Sequence, residues 1–359
     1  MKLSKLFVIL KRINEVASLN KYSRIASYLR FFYLAVSKQY SPVEIFMEDL
    51  LNPSWSAEER RGMISKERFL RLQEQANPAS YRYLTEDKIA FHHHCVKNDL
   101  AVPELVAILD TEGGSCWGDG EKIKTENDLQ RGLARFPYGI VAKPVHGYHG
   151  NGVFVLDFAE GRHYLANDPS QPLLELFKGL LNGSGSTDKY ILQKMLYSHK
   201  AIVALTGNTV LQSLRLVTYL DEGDQPRLVI RKIKLPKKGS LIDNFSWGIN
   251  EGRLCLIDER GNIESTIKLS HIENYLKRYD GVQDTDGKTV KFTIPWWDKC
   301  VSLVLNAQMA FAPLRTIGWD VAVTDDGPFL IEGNVFWDPL MPQEGSMRDI
   351  CDLLAKSND

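Results

Sequence analysis

Apolar and polar positions alternate most regularly near the C-terminal end of the chain. From Gly318 to Asn334, apolar residues flank Thr324-Asp325-Asp326-Gly327-Pro328 on both sides, the pattern of two strands joined by a turn. A three-residue loop, Asp325-Asp326-Gly327, uses glycine at its left-handed position and sets Thr324 against Pro328. The same register sets Asp320 against Glu332 and Gly318 against Asn334, with Asn334 on the face of Glu332 because it lies two residues on. Residues 296–313, rich in Trp, Val, Leu and Ala, predict a helix leading into this hairpin. Residues 105–109, 139–143, 190–192, 201–205, 209–220 and 227–233 read as strands, and residues 182–188 as a flexible loop. Residues 41–100 read as charged helices broken at Pro53 and Pro78.

The first 40 residues have a different pattern. Leu3, Leu6, Phe7, Leu10, Ile13 and Ala17 recur at helical spacing, and Tyr22, Ile25, Ala26, Leu29, Phe32, Tyr33 and Val36 continue it in a second helix. Lys2, Lys5, Lys11, Arg12, Lys21, Arg24, Arg30 and Lys38 face one acid, Glu15. Two readings stand: a basic amphipathic element on the inner face of an anionic membrane, or a helical subdomain packing its stripe on the core. Apolar stripes more often mean core, which favours the second.

Composition narrows the class. A chain of 359 residues can build two or three domains, and 44% hydrophobic with 25% charged residues is ordinary for a soluble protein. The net charge of −1 excludes a molecule that binds nucleic acid by bulk charge. The five cysteines are scattered, odd in number and never spaced Cys-x-x-Cys, which argues against a disulfide framework or a zinc ribbon. The expected compartment is the reducing cytosol. No run of 18 apolar residues predicts a membrane span, and no signal-peptide core precedes a cleavage site.

Candidate chemistry then gathers in a few places. Asp320, Glu332 and Asn334 offer three hard oxygen donors, suited to Mg²⁺ bridging nucleotide phosphates and not to zinc. Glu332 lies among apolar neighbours in Phe329-Leu330-Ile331-Glu332-Gly333, where a carboxylate needs a partner. Lys143 ends a strand, and Gly147, Gly150 and Gly152 follow before the next one. Glycines let backbone amides approach an anion, and a lysine ahead of them adds a point charge for phosphate. The segment is neither a Walker loop nor a Rossmann fingerprint, because no helix and no Gly-Lys-Ser/Thr follows. Gln193 and Met195 end an apolar strand that could frame a purine. Arg215 lies mid-strand among apolar residues and wants an anion; Arg231 and Lys232 follow on the next strand. Lys234, Lys237 and Lys238 read as a solvated loop. His92, His93 and His94, consecutive on a helix, point in different directions and do not make a metal site with Cys95.

In this order the segments resemble the ATP-grasp superfamily, and within it the sugar-transfer-associated ATP-grasp family and the glutamate-ligase-like enzymes. The resemblance rests on residues 85–91 with Val102-Pro103, Ala142-Lys143-Pro144 with the glycine loop, Leu192-Gln193-Lys194-Met195-Leu196, residues 213–218, Asp243-Asn244-Phe245 with Gly248, and Gly318-Trp319-Asp320 through Glu332-Gly333-Asn334. It implies an α+β fold with two α+β subdomains clasping ATP, and boundaries at 1–84, 85–196 and 197–359. It implies that Lys88 and Lys143 contact phosphates and that the 147–152 loop closes over the γ-phosphate. Gln193, Lys194, Met195 and Leu196 would hold adenine, Asp320, Glu332 and Asn334 one or two Mg²⁺, and Asn244, Trp337 and Asp338 the acceptor. The implied activity is carboxylate–amine ligation through an acylphosphate, on a small-molecule, sugar or peptide precursor of polysaccharide assembly. A phosphotransferase with a hydroxyl acceptor and a non-catalytic scaffold at the membrane remain alternatives. D-alanine–D-alanine ligases carry arginine two residues before the first metal acid. This chain has Gly318 there, so either Arg215 or Arg231 must supply the cation.

Overall fold

A computed structural model describes residues 3–56, 63–110, 114–133, 135–136, 139–147, 152–157, 162–165, 175, 179, 189–237, 245, 248–249, 251–271, 275–338, 350–352 and 354. It opens with α1 (Leu3–Leu19), α2 (Arg24–Phe32) and α3 (Pro42–Met47), followed by α4 (Lys66–Ala76), α5 (Tyr83–Glu86) and α6 (Lys88–Lys97). Ile13 and Val16 of α1 and Phe31 of α2 pack with Tyr40, Ile45, Leu50 and Leu51. The packing expected of the N-terminal stripe is therefore present only in part: Ile13 and Ala17 are buried, whereas Phe7, Ile25, Leu29, Phe32, Tyr33 and Val36 are exposed and Phe31 packs instead. Side-chain oxygens define the helix starts: Ser41 and Glu44 form a reciprocal capping box on α3, and Asp87 accepts from the amides of Ile89 and Ala90 at α6.

Two antiparallel sheets follow. The first runs β2-β1-β6-β3-β4-β5, from β1 (Leu105–Asp110), β2 (Cys116–Trp117), β3 (Ile140–Pro144), β4 (Phe154–Asp157), β5 (Arg162–Leu165) and β6 (Lys189–Lys194). Leu129 and Leu133 of α7 (Glu126–Leu133) join Val106, Leu109, Ile140 and Leu192 in its core. The second runs β11-β10-β9-β8-β7-β14-β15. Its central strands are β7 (Ser213–Leu220), β8 (Pro226–Leu235), β14 (Thr316–Thr324) and β15 (Gly327–Asn334), with β9 (Arg253–Ile257), β10 (Ile263–Ser270) and β11 (Tyr275–Asp280) outward. The strands β12 (Val282–Gln283) and β13 (Thr289–Val290) form a separate ribbon.

One face of the second sheet carries Leu214, Leu216, Ile233, Ile317, Trp319, Val321 and Val323 and is covered by Val304, Ala307 and Phe311. The first two of these covering residues belong to α9 (Trp297–Ala310), the helix expected at 296–313. The segment 201–205 differs from expectation. It is helical, within α8 (Lys200–Thr206), because the His199 ring accepts from the Ala201 amide at one end and Gly207 (φ +63°) closes the other. The strand expected from 209 begins at Ser213; before it, Asn208 Oδ1 accepts from the Val210 amide and Ser198 Oγ from the Gln212 amide.

Candidate active site

Strand alternation puts a set of charges on the face of the second sheet that α9 does not cover. Leu214 and Leu216 turn to the core, so Arg215 between them turns away; Trp319 and Val321 do the same for Asp320. Arg215 is paired in register with Asp320 on one side and with Lys232 on the other. Its Nε lies 2.7 Å from Asp320 Oδ1 and its Nη2 3.0 Å from Oδ2. Lys234 Nζ donates to the same Oδ2 at 3.1 Å. Lys234 was read as part of a solvated loop. It stands two residues after Lys232 on β8, on the same face, with its side chain only 13% exposed.

Asp320 pairs with Glu332 and Gly318 with Asn334, as expected, but by a different route. The turn holds two residues, Asp325 and Asp326, and Thr324 faces Gly327 instead of Pro328. Gly327 has φ +129°, a backbone region open to glycine. The register then slips by one between Asp320 and Val321, since Val321 faces Leu330 and Ile331 is extra. This β-bulge restores the pairing of the two acids. Asn334 Nδ2 donates to Glu332 Oε1 at 3.2 Å, so all three donors of the hairpin meet.

The electrostatics of the two acids diverge. Burial disfavours the charge of Asp320, but Arg215 and Lys234 hold its carboxyl well below the usual range. Glu332 is pushed up, first by burial and then by the charge of Asp320, against the pull of Arg215, Lys234 and Lys143. A cation beside Glu332 would relieve that pressure. A carboxylate has about four lone-pair sites, so the three donors to Asp320 leave room for one more partner. The donor set therefore fits a hard divalent ion, with Asp320, Glu332 and the Asn334 amide oxygen as ligands. Among the described residues, no group of three or more His, Cys, Asp or Glu side chains offers another such site.

The first sheet and α6 bring cations to the same place. Lys143 of β3 donates to Gln193 Oε1 at 3.3 Å and is felt electrostatically by Glu332. Gln193 is buried, and its Nε2 donates to His92 Nδ1 at 3.5 Å. His92 is pushed down to about 4 by burial and by His93, so the ring accepts as the neutral form. His94 Nε2 lies 2.8 Å from Ala310 O. These histidines orient elements and do not meet as ligands. Lys88 Nζ donates to Val145 O at 3.4 Å and Gly147 O at 3.1 Å; burial lowers its affinity for a proton and Glu332 partly restores it. Lys88 is thus tied to the start of the glycine segment, of which Gly147 and Gly152 are described. Gly150 lies outside the described residues, as does Asn244.

Other candidates fall elsewhere. Arg231 stands one residue out of phase with Lys232, opposite Leu216, and its Nε donates to Ile257 O at 3.2 Å on the core side of the sheet. It is not brought to Asp320, whereas Arg215 is. Trp337 is 1% exposed; its ring meets Phe69 at 4.6 Å, its Nε1 donates to Thr316 Oγ1 at 3.0 Å, and its carbonyl accepts from Gln73 at 3.1 Å. It is a core residue and not a wall of an acceptor site. Asp338 accepts from Lys66 Nζ at 2.8 Å and acts electrostatically on buried Lys232. The Lys194 amide donates to Glu104 O at 2.9 Å and the Met195 amide to Gly139 O at 3.1 Å. Those two amides serve the sheet edge. Gly318 does not open space either. A Cβ there would lie 2.7 Å from Trp337 Cβ and 3.4 Å from Arg215 Nη1. Lys232 and Glu48, which face one another electrostatically, escaped the sequence reading as a pair because one lies on a strand and the other after α3. The period-two spacing of Arg215, Lys232 and Lys234 on adjacent strands was the available signal.

Comparison with solved structures finds low-identity likenesses. A D-alanyl-alanine synthetase A from Vibrio cholerae is 10% identical with a TM-score of 0.45, covering 79% of this chain and 66% of its own. An N5-carboxyaminoimidazole synthetase from Staphylococcus aureus, complexed with ADP, is 12% identical with a TM-score of 0.46, covering 83% and 59%. A D-cycloserine synthetase is 14% identical with a TM-score of 0.42, covering 85% and 82%. The chain spans less than two thirds of the length of the first two. Among curated proteins, none matches the sequence. Residues 67–346 match sugar-transfer associated ATP-grasp, which is most of the chain and includes every charged residue of the Asp320 cluster. The chain belongs to the sugar-transfer associated ATP-grasp family.

Proposed function

We propose that the protein is an ATP- and Mg²⁺-dependent ligase that joins a carboxylate to an amine. The observation that carries this reading is the acid pair of buried Asp320 and half-buried Glu332, set on one hairpin and surrounded by Arg215, Lys234, Lys143 and Lys88 from two sheets and a helix. A nucleotide triphosphate brings the negative charge that such cations are placed to meet. Asp320, Glu332 and Asn334 would hold Mg²⁺, which when bound would supply charge neutralisation to the nucleotide phosphates.

In the proposed reaction a substrate carboxylate oxygen attacks the γ-phosphorus, and the bond to the bridging oxygen breaks to release ADP. An amine then attacks the acyl carbon of the acylphosphate, inorganic phosphate leaves, and the amine gives up a proton. The chain's own residues position and neutralise. Lys143 and Lys88 serve as point charges for phosphate oxygens. Arg215 brings positive charge to the transferring group while its fork holds Asp320 ionised. The sugar-transfer association of the family supports a cell-surface saccharide or peptide precursor as one substrate.

Purified protein incubated with Mg·ATP and pooled carboxylates and amines tests the reading. The expected products are ADP and inorganic phosphate, dependent on both pools, with hydroxylamine trapping the activated acyl group as a hydroxamate. Phosphate found on a hydroxyl acceptor instead identifies a phosphotransferase. Absence of any Mg·ATP binding leaves a scaffold.

A further inference from the structure

The N-terminal helices lie before the family match, and their apolar residues are divided between two faces. Ile13, Val16, Ala17 and Phe31 are buried. Ile25 is 75% exposed, Leu29 69% and Val36 76%, with Phe32 and Tyr33 also exposed. At spacings of four, three and four, Ile25, Leu29, Phe32 and Val36 form one stripe along α2 and its continuation. Phe7 and Val8 of α1 are likewise exposed. The helices run antiparallel, tied where Tyr28 donates to Leu10 O at 3.3 Å.

Charge is sorted in the same way. Among residues 3–56 the acids are Glu15, Glu44, Glu48 and Asp49. Glu44 is buried, accepting from the Ser41 and Lys66 amides, and Asp49 is buried, accepting from Tyr22 and Asn52. Glu48 sits where burial pushes it up to about 8. Only Glu15 reaches the outer face, where it meets Lys11 and Arg12. Lys5, Lys21 and Arg24 are exposed, and Lys38 borders the stripe at Tyr33. The outer side is apolar with a mainly cationic border, and of the four acids only Glu15 lies on it.

We propose that this face rests on an anionic lipid surface, with Ile25, Leu29, Phe32 and Val36 entering the headgroup boundary and Lys5, Lys21, Arg24 and Lys38 meeting lipid phosphates. A protruding stripe with a predominantly cationic border suits a fluid anionic layer, which demands no matching shape. No helix among the described residues is long and apolar enough to cross a membrane, so the contact is peripheral.

Co-sedimentation of the full chain with phosphatidylglycerol-rich vesicles tests this without reference to ligase activity. Binding is expected at low salt, is expected to fall several-fold as salt rises, and is expected to be weak on pure phosphatidylcholine. A double variant, Ile25→Asp with Leu29→Asp, should lose at least about tenfold in binding, since both side chains leave the apolar layer. Because both are exposed, its circular dichroism and melting should match the parent. Arg24→Glu should weaken binding to anionic vesicles alone. A full chain that stays in the supernatant at low salt overturns the proposal, as does a double variant that pellets like the parent. Self-association of the parent that the double variant abolishes, with no vesicle binding, would assign the stripe to a second copy and overturn it equally.

Discussion

Arg215 grips Asp320 across neighbouring strands with a two-pronged contact of 2.7 and 3.0 Å, on a face where both are largely shielded from water. The pair fixes the carboxylate as an anion and aims it beside Glu332. Removing one member strands the other. Arg215→Ala should therefore cost about 3–5 kcal/mol of stability, read as a lowered midpoint in urea. Asp320→Asn, which keeps the shape, should lower kcat by at least about a hundredfold while the protein remains folded. An Asp320→Asn enzyme with full turnover would remove Asp320 from the chemistry. Because Asp320 titrates below its unfolded value, its contribution to stability is present above the ordinary carboxylate range. It is lost as pH falls through the depressed value.

Lys143 contacts Gln193, and Lys88 contacts the carbonyls of Val145 and Gly147. Lys143→Ala should weaken ATP binding by about tenfold or more, measured by titration calorimetry with a non-hydrolysable analogue, with little change for adenosine. Lys88→Ala should do the same and also loosen the 145–147 segment, seen as faster hydrogen exchange there. ATP affinity unchanged in Lys143→Ala would separate that lysine from the phosphates.

Gly318 lies against Trp337 so closely that a Cβ has no room. Gly318→Ala should destabilise by about 1–3 kcal/mol, and Gly318→Arg by more, without any gain in turnover. Trp337→Ala should cost about 3–5 kcal/mol through the cavity it leaves beside Phe69. Thermal unfolding checks both. A Trp337→Ala protein of parental stability but altered acceptor preference would restore the acceptor role.

Glu48 is pushed up to about 8, chiefly by burial and then by Glu44 and Asp338. Its native value is above its unfolded value, so the fold holds an extra proton between roughly 4.5 and 8. Stability must fall as pH rises through that window. Glu48→Gln keeps the shape and removes the proton, so it should flatten the decline and leave the variant more stable at pH 9 by upwards of about 1 kcal/mol. The lost attraction to Lys232 offsets only part of this, because burial is the larger cause. Denaturation midpoints at pH 5 and pH 9 decide it; parallel pH profiles for parent and variant would refute it.

The pairing of Asp320 with Glu332 was legible because hairpin patterning is local, whereas the place of Arg215 beside Asp320 was not, since it depends on β7 pairing with β14. Strand patterning, applied to the short run 201–205, failed. Five apolar residues carry no usable period, and the helix there is fixed by the His199 ring and Gly207, neither an ordinary start signal at that distance. Lys234 was misread because a run of lysines looks solvated until its strand partners are known. Arg215 and Arg231 could not be separated from sequence, since the face each takes depends on the register of β7 against β8. Trp337 was given to the acceptor for its position after Asn334, while Phe69 and Gln73, which enclose it, lie more than 260 residues earlier.

The extra residue at Ile331 divides β15 into two half-strands of opposite sidedness. Before it, Leu330 joins the apolar core with Val321; after it, Glu332 faces the cations. An unbroken strand would send residues 330 and 332 to the same side, so the chain would have to choose between anchoring its hairpin and arming its site. Ile331 works as a phase shifter that permits both. Deleting it would keep every charged residue in the sequence, yet turn either the anchor or the acid the wrong way.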